Sequence, residues 1–173
     1  MARPLLYLDV DGPLNPYAAQ LERRPEGYTT HRMKPEGWLA PRYRVKPLRV
    51  WLNPQHGRAL LELADRYELV WATTWGREAN TYIAPVLGLP DLPVVDWPTM
   101  LGSGPDGTFW KTRHLVAHAD GRPFAWADDE LGDRDREFVA GHHDGPALLQ
   151  WVDPRLGLRD GDFEALADFA RGL

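Results

Sequence analysis

The apolar run Leu5-Leu6-Tyr7-Leu8 delivers Asp9-Val10-Asp11-Gly12 into a turn, and those four residues carry the most distinctive chemistry of the chain. Carboxylates two positions apart point the same way only while the backbone stays extended. Asp9 and Asp11 therefore bring two negative charges to one strand end. Such crowding is unfavourable unless a cation or a reaction uses it, which makes the pair a candidate for a Mg2+-assisted site. Taken alone, the same residues also read as an Asp-Gly turn whose acids solvate a loop.

Periodicity supplies the scaffold around these acids. Residues 4–9 read as a first strand. Beyond it Pro13, Pro16, Pro25, Pro35, Pro41 and Pro47, with Gly27 and Gly37, interrupt any regular pattern. Residues 15–50 therefore read as an irregular, proline-rich insertion with a short hairpin over about 43–50. Asn53 then caps a helix with Pro54 in its first turn, and Leu60, Leu61, Leu63, Ala64 and Tyr67 form its apolar face. A buried strand is expected over 68–72, a helix over about 77–87 stopped by Gly88 and Pro90, and a short strand over 93–96. A loop bearing Gly102, Gly104 and Gly107 leads to Trp110-Lys111, which opens a helix through Leu115, Val116 and Ala119. The strand at 123–127 ends in Asp128-Asp129. A last strand at 147–152 precedes a helix with Phe163, Leu166, Ala167, Phe169 and Ala170 as its apolar positions. Strands too apolar to face water, alternating with helices, predict an α/β fold with a central parallel sheet covered on both sides.

Length and composition bound the answer. At 173 residues the chain suits one core, so a single domain over 1–173 is expected, with 15–50 as a small basic insertion. Cysteine is absent, which excludes disulfides, thiolate catalysis and Cys-ligated zinc. Met1-Ala2-Arg3-Pro4 runs straight into strand-like residues with no apolar leader, and no segment is apolar enough to span a bilayer, so a cytoplasmic protein without a membrane partner is expected. Between Asn15 and Val50 eight basic residues, Arg42 and Arg44 among them, face three acids, a local balance of 8 − 3 = +5. The total is −5, so the remainder carries −10. A basic segment directly after the acidic pair can attract an anionic substrate towards it, or act only as a solvated arm.

In an open parallel sheet the loops at the carboxyl ends of the strands meet at one crevice, where ligands bind. Those ends carry Asp9 and Asp11, then Thr73 and Thr74, then Asp128 and Asp129, with Lys111 at a helix start between them. In order and placement the set resembles the haloacid dehalogenase (HAD) superfamily of phosphotransferases. Asp9-Val10-Asp11-Gly12 is similar to its DxDG nucleophile motif, Thr73 to its Ser/Thr, Lys111 to its lysine, and Asp128-Asp129 to its terminal acidic motif. Trp71-Ala72-Thr73-Thr74-Trp75-Gly76 with Asn80 resembles, more narrowly, a branch that includes HAD domains of RNA repair proteins. Pro13 departs from the pattern and stiffens the loop without touching the carboxylates.

The resemblance implies a Rossmann-like three-layer sandwich and a Mg2+-dependent phosphatase. It casts Asp9 as nucleophile, Asp11 as general acid and base, Thr73 or Thr74 as donor to a phosphoryl oxygen, and Lys111 as counter-charge. It assigns metal binding to Asp9, Asp128 and the Asp11 backbone carbonyl, with Asp129 as a further acid. Gly12 shapes the substrate loop, and the short insertion is a minimal cap or flap, its Arg42 and Arg44 reaching an anionic substrate. A phosphorylated metabolite or a nucleic-acid end is the expected partner. The alternatives are a receiver-like domain that accepts phosphate without turnover and a silent binding domain. The order of hydroxyl and lysine before the second acid pair speaks against a receiver. Of the weaker constellations, His114 and His118 have zinc-pair spacing but read as a surface helix. His142-His143-Asp144 reads as a turn, and Trp38 and Trp75 are the candidates for stacking on a base.

Overall fold

Strands that are apolar on successive residues, as Leu5–Leu8 and Phe124–Ala127 are, have no face to give to water, so they settle in the middle of a layered structure. A computed structural model describes residues 2–36, 46–98 and 103–173 and shows that arrangement. The strands β1 (Leu5–Leu8), β4 (Glu68–Trp71), β5 (Phe124–Asp128) and β6 (Ala147–Trp151) pair in parallel in the order β4-β1-β5-β6. Alternate residues feed two cores. Leu6, Leu8, Leu69, Trp71, Ala125 and Ala127 face one side of the sheet, and Leu5, Tyr7, Val70, Ala72, Phe124 and Trp126 face the other.

The first side is covered by α1 (Pro54–Leu63), the short α2 (Glu78–Tyr82) and α3 (Ala84–Leu87), and α6 (Asp160–Arg171). The second is covered by α4 (Thr112–Ala119) and α5 (Asp133–His142). This is an α/β three-layer sandwich of the Rossmann-like kind that the resemblance implies. Asn53 caps α1 through its side-chain oxygen, 3.0 Å from the Gln55 amide, with Pro54 in the first turn. The single helix expected over 77–87 is two, because the chain breaks at Ile83 and restarts with Pro85 in its first turn. The strand expected over 93–96 shrinks to one bridge, Val94 beside Trp71, held by the Trp71 amide on Pro93 and the Val95 amide on Trp71.

The insertion contains more regular structure than its prolines suggest. Strands β2 (Thr29–Met33) and β3 (Leu48–Leu52) form an antiparallel ribbon with Thr29 opposite Leu52 and Met33 opposite Leu48. The hairpin expected over 43–50 is thus the return strand of a wider ribbon, and Tyr43 itself lies outside the described residues. Met33, Val50 and Leu52 join the first core, so the ribbon is docked rather than free-standing. His118 meets the Tyr7 hydroxyl at 2.7 Å and His114 lies against the Trp97 ring, separate uses that do not form a zinc pair. His142 closes α5 and stacks on Phe138, in place of the expected turn.

Helices α1 and α3 meet at Gly57, where a Cβ would lie 1.7 Å from the Leu87 carbonyl oxygen. Gly57→Ala is expected to force the two helices apart and to cost about 1–3 kcal/mol in urea unfolding; a stability equal to wild type would contradict this contact.

Candidate active site

Register brings the polar residues together. Leu8 pairs with Trp71 on one side and Ala127 on the other, so the residues just beyond these three emerge at one level. The Asp9 amide donates to the Ala127 carbonyl at 3.2 Å and the Ala72 amide to that of Leu8 at 2.8 Å. Asp9, Thr73 and Asp128 therefore cluster at one end of the sheet.

Lys111, one residue before α4, closes the group from the side. Its ammonium lies 3.0 Å from Asp9 Oδ2 and 2.8 Å from Asp128 Oδ2, and the side chain is almost fully buried. Asp128 also accepts from Trp126 Nε1 at 3.2 Å and from the Glu130 amide at 3.1 Å. Asp9 Oδ1 accepts from the Val10 amide at 2.8 Å. Asp129 accepts from the Tyr17 hydroxyl at 2.7 Å and packs on Gly12. Gly12 has φ +101°, and a Cβ there would lie 2.6 Å from Asp129 Cγ. A bare backbone is what allows the two loops to approach.

Asp11 faces another way. Its Oδ1 accepts from Asn15 Nδ2 at 2.8 Å and its Oδ2 from Trp75 Nε1 at 3.0 Å. Asn15 is itself oriented, since its Oδ1 accepts from the Trp51 amide of β3 at 3.0 Å. Thr73 is fully buried; its hydroxyl accepts from the Trp75 amide at 3.3 Å and its carbonyl from Trp97 Nε1 at 3.0 Å. Thr74 is half-buried beside it. Arg42, Arg44 and Trp38 lie outside the described residues. Sequence reasoning did not foresee Asn15, Tyr17 or Trp75 as partners of the acids. Only Trp75, adjoining Thr73-Thr74, carried a local hint.

Electrostatics sharpen the picture. Burial pushes the Asp9 carboxyl up to about 8; Lys111 pulls it back, and Asp128 and Asp11 push it further. Burial likewise raises Asp129 to about 6, against the hydrogen bond from Tyr17. Burial alone would lower Lys111, but Asp128 and Asp9 outweigh it and hold the ammonium above the ordinary lysine range. Oxygen atoms of Asp9, Asp128 and Asp129 all lie within 4.8 Å of one another. When all three are ionised, three carboxylates against one ammonium give −3 + 1 = −2, and hard oxygen donors at that spacing fit a divalent cation such as Mg2+. The Asp11 side chain stands outside this trio. The metal contact that the resemblance assigns to it runs through the backbone carbonyl and leaves the carboxylate for other work.

Because both acids are raised above their unfolded values, they favour the fold when protonated. That contribution is complete below about pH 4 and is lost as pH rises through 6 to 8. A cation competes with those protons. The melting temperature without metal is therefore expected to fall from pH 5 to pH 8, and Mg2+ to raise it more at pH 8 than at pH 5. Calorimetric scans showing an equal Mg2+ shift at both values would count against the trio as a metal site.

A family model described as "HAD domain in Swiss Army Knife RNA repair proteins" matches residues 5–162. No curated protein and no solved structure matches the chain.

Proposed function

The chain belongs to the HAD domains of Swiss Army Knife RNA repair proteins, and from that premise we propose that it is a Mg2+-dependent phosphohydrolase working through an aspartyl-phosphate. The observation that carries this reading is Lys111, buried between Asp9 and Asp128, with Asp11 tethered two residues away from Asp9. A phosphorus centre is shielded by its own negative oxygens, so a nucleophile needs both positioning and counter-charge. Asp9 is held by the Ala127 carbonyl, the Val10 amide and Lys111, which together supply both. Asp9, Asp128 and Asp129 would hold the cation, which when bound offsets the charge of the phosphoryl oxygens.

Asp9 attacks phosphorus and the bond to the leaving alcohol oxygen breaks, with Asp11 giving that oxygen its proton. Asp11 then takes a proton from water as the water attacks the aspartyl-phosphate, which returns Asp9 and releases phosphate. The Asn15 and Trp75 hydrogen bonds fix the Asp11 carboxylate for both steps. Thr73 or Thr74 donates to a phosphoryl oxygen. Residues 1–173 act as one unit, with the basic, proline-rich insertion 15–50 as a minimal cap or flap.

The shortness of that insertion, its charge of +5 over 15–50 and the RNA repair context of the family support a phosphorylated metabolite or a nucleic-acid end as substrate. No helix among the described residues is long and apolar enough to cross a membrane, and we place the protein in the cytoplasm.

With an aryl phosphate and Mg2+, Asp9→Asn is expected to abolish turnover and Asp11→Asn to lower kcat by about 10²–10⁴-fold. Unchanged turnover in Asp9→Asn would remove the nucleophile assignment. Neutralising Arg23, Arg24, Arg42 and Arg44 together is expected to raise KM for end-phosphorylated oligonucleotides while leaving aryl phosphate kinetics in place; an unaltered oligonucleotide KM would leave the flap without a binding role.

A further inference from the structure

Two cavities flank the acids, and they differ in chemistry. The larger, about 710 Å³, runs beside Asp129 and is walled by Glu130, Asp133 and Asp135, with Arg134 among them. The smaller, about 320 Å³, is lined by Asp11, Asn15, Tyr17, Leu48, Val50 and Trp75, with Arg49 at its side. Neither contains Asp9 in its lining. Of the two, the smaller contains the group that exchanges a proton with the leaving oxygen. An acidic cavity repels an anionic ester, whereas the alcohol side of a phosphoester protonated by Asp11 must lie next to Asp11.

The walls of the smaller cavity define what that alcohol can be. Leu48 and Val50 share one face of β3 because side chains alternate along a strand. The indole nitrogen of Trp75 is directed at Asp11 and the Tyr17 hydroxyl at Asp129, so both aromatic residues spend their polar ends on the acids. Asp11, Asn15, Tyr17 and Arg49 already have partners. Sugar hydroxyls entering this space would therefore exchange water for the carbon of Leu48, Val50 and the two aromatic side chains, at a cost. A flat carbon ring would gain by burial and by contact with aromatic faces. The volume is at the low end of the range for small-molecule sites, about 300–1,000 Å³.

We propose that this cavity receives one flat, mainly apolar ring carried on the alcohol side of the phosphoester, so that monoesters of ring-bearing alcohols are favoured over those of polyhydroxylated sugars. This rests on the hydrolase reading and, of its two substrate classes, favours the phosphorylated metabolite over the nucleic-acid end, whose alcohol is a sugar.

Phosphonates test it without turnover. Calorimetric titration in Mg2+ buffer is expected to give phenylphosphonate at least about ten-fold tighter binding than methylphosphonate. In Leu48→Phe, which narrows the cavity, that ratio should collapse. Equal affinity of the two phosphonates for wild type overturns the ring pocket whatever the variant does, and a ratio unmoved in a folded Leu48→Phe overturns its location. Turnover of acetyl phosphate, which has no ring, reports separately on the hydrolase. Activity on it with equal phosphonate affinities removes the pocket alone, whereas no turnover of any phosphate removes the reading beneath it.

Discussion

The Lys111 ammonium between Asp9 and Asp128 is the contact on which the architecture of the site depends. It joins the ends of two neighbouring strands to the start of a helix on the far side of the sheet. Burying three ionic groups is costly, and their attraction offsets that cost only when geometry and hydrogen bonding are good. Here both carboxylates accept further bonds, from the Val10 amide and from Trp126 and Glu130. Removing one member would strand the others uncompensated in the interior. The cluster is thus a structural joint between β1, β5 and α4 and, on the proposed reading, the chemical centre as well.

This joint is visible in the sequence for a physical reason. Leu5 to Leu8, Leu69 to Ala72 and Phe124 to Ala127 are apolar on consecutive residues, which is a strong mark of strands covered on both faces. Once such strands are parallel neighbours, the residues beyond their carboxyl ends must meet, so Asp9, Thr73 and Asp128 group together from the sequence alone. Helix α5 is not legible in the same way. Its run Asp133-Arg134-Asp135-Arg136-Glu137 carries no apolar periodicity, and few of its side chains turn inward. Asp135 is buried only because it accepts from the Phe109 and Gly132 amides and the Thr112 hydroxyl, partners that no local pattern announces.

The ribbon shows the same limit. Strand β2 is mostly exposed and polar, so its sequence lacks the alternation of a half-buried strand, and its pairing with β3 is decided by the core under Val50 and Leu52. Asn15 is invisible as a partner of Asp11 for a related reason. Its side-chain orientation is set by the Trp51 amide, 36 positions along the chain. Local spacing can suggest which groups share a strand end, but not which distant backbone amide fixes a carboxamide.

That carboxamide makes the flap and the acid loop one assembly. The Asn15 oxygen grips the backbone of β3 while its nitrogen grips Asp11, so β3 and the carboxylate share a single bracket. Grafting a different ribbon into this scaffold, as a route to new specificity, would succeed only if the donor strand offered an amide at the same spot. Otherwise the transplanted ribbon would leave the Asp11 carboxylate of the scaffold unmoored.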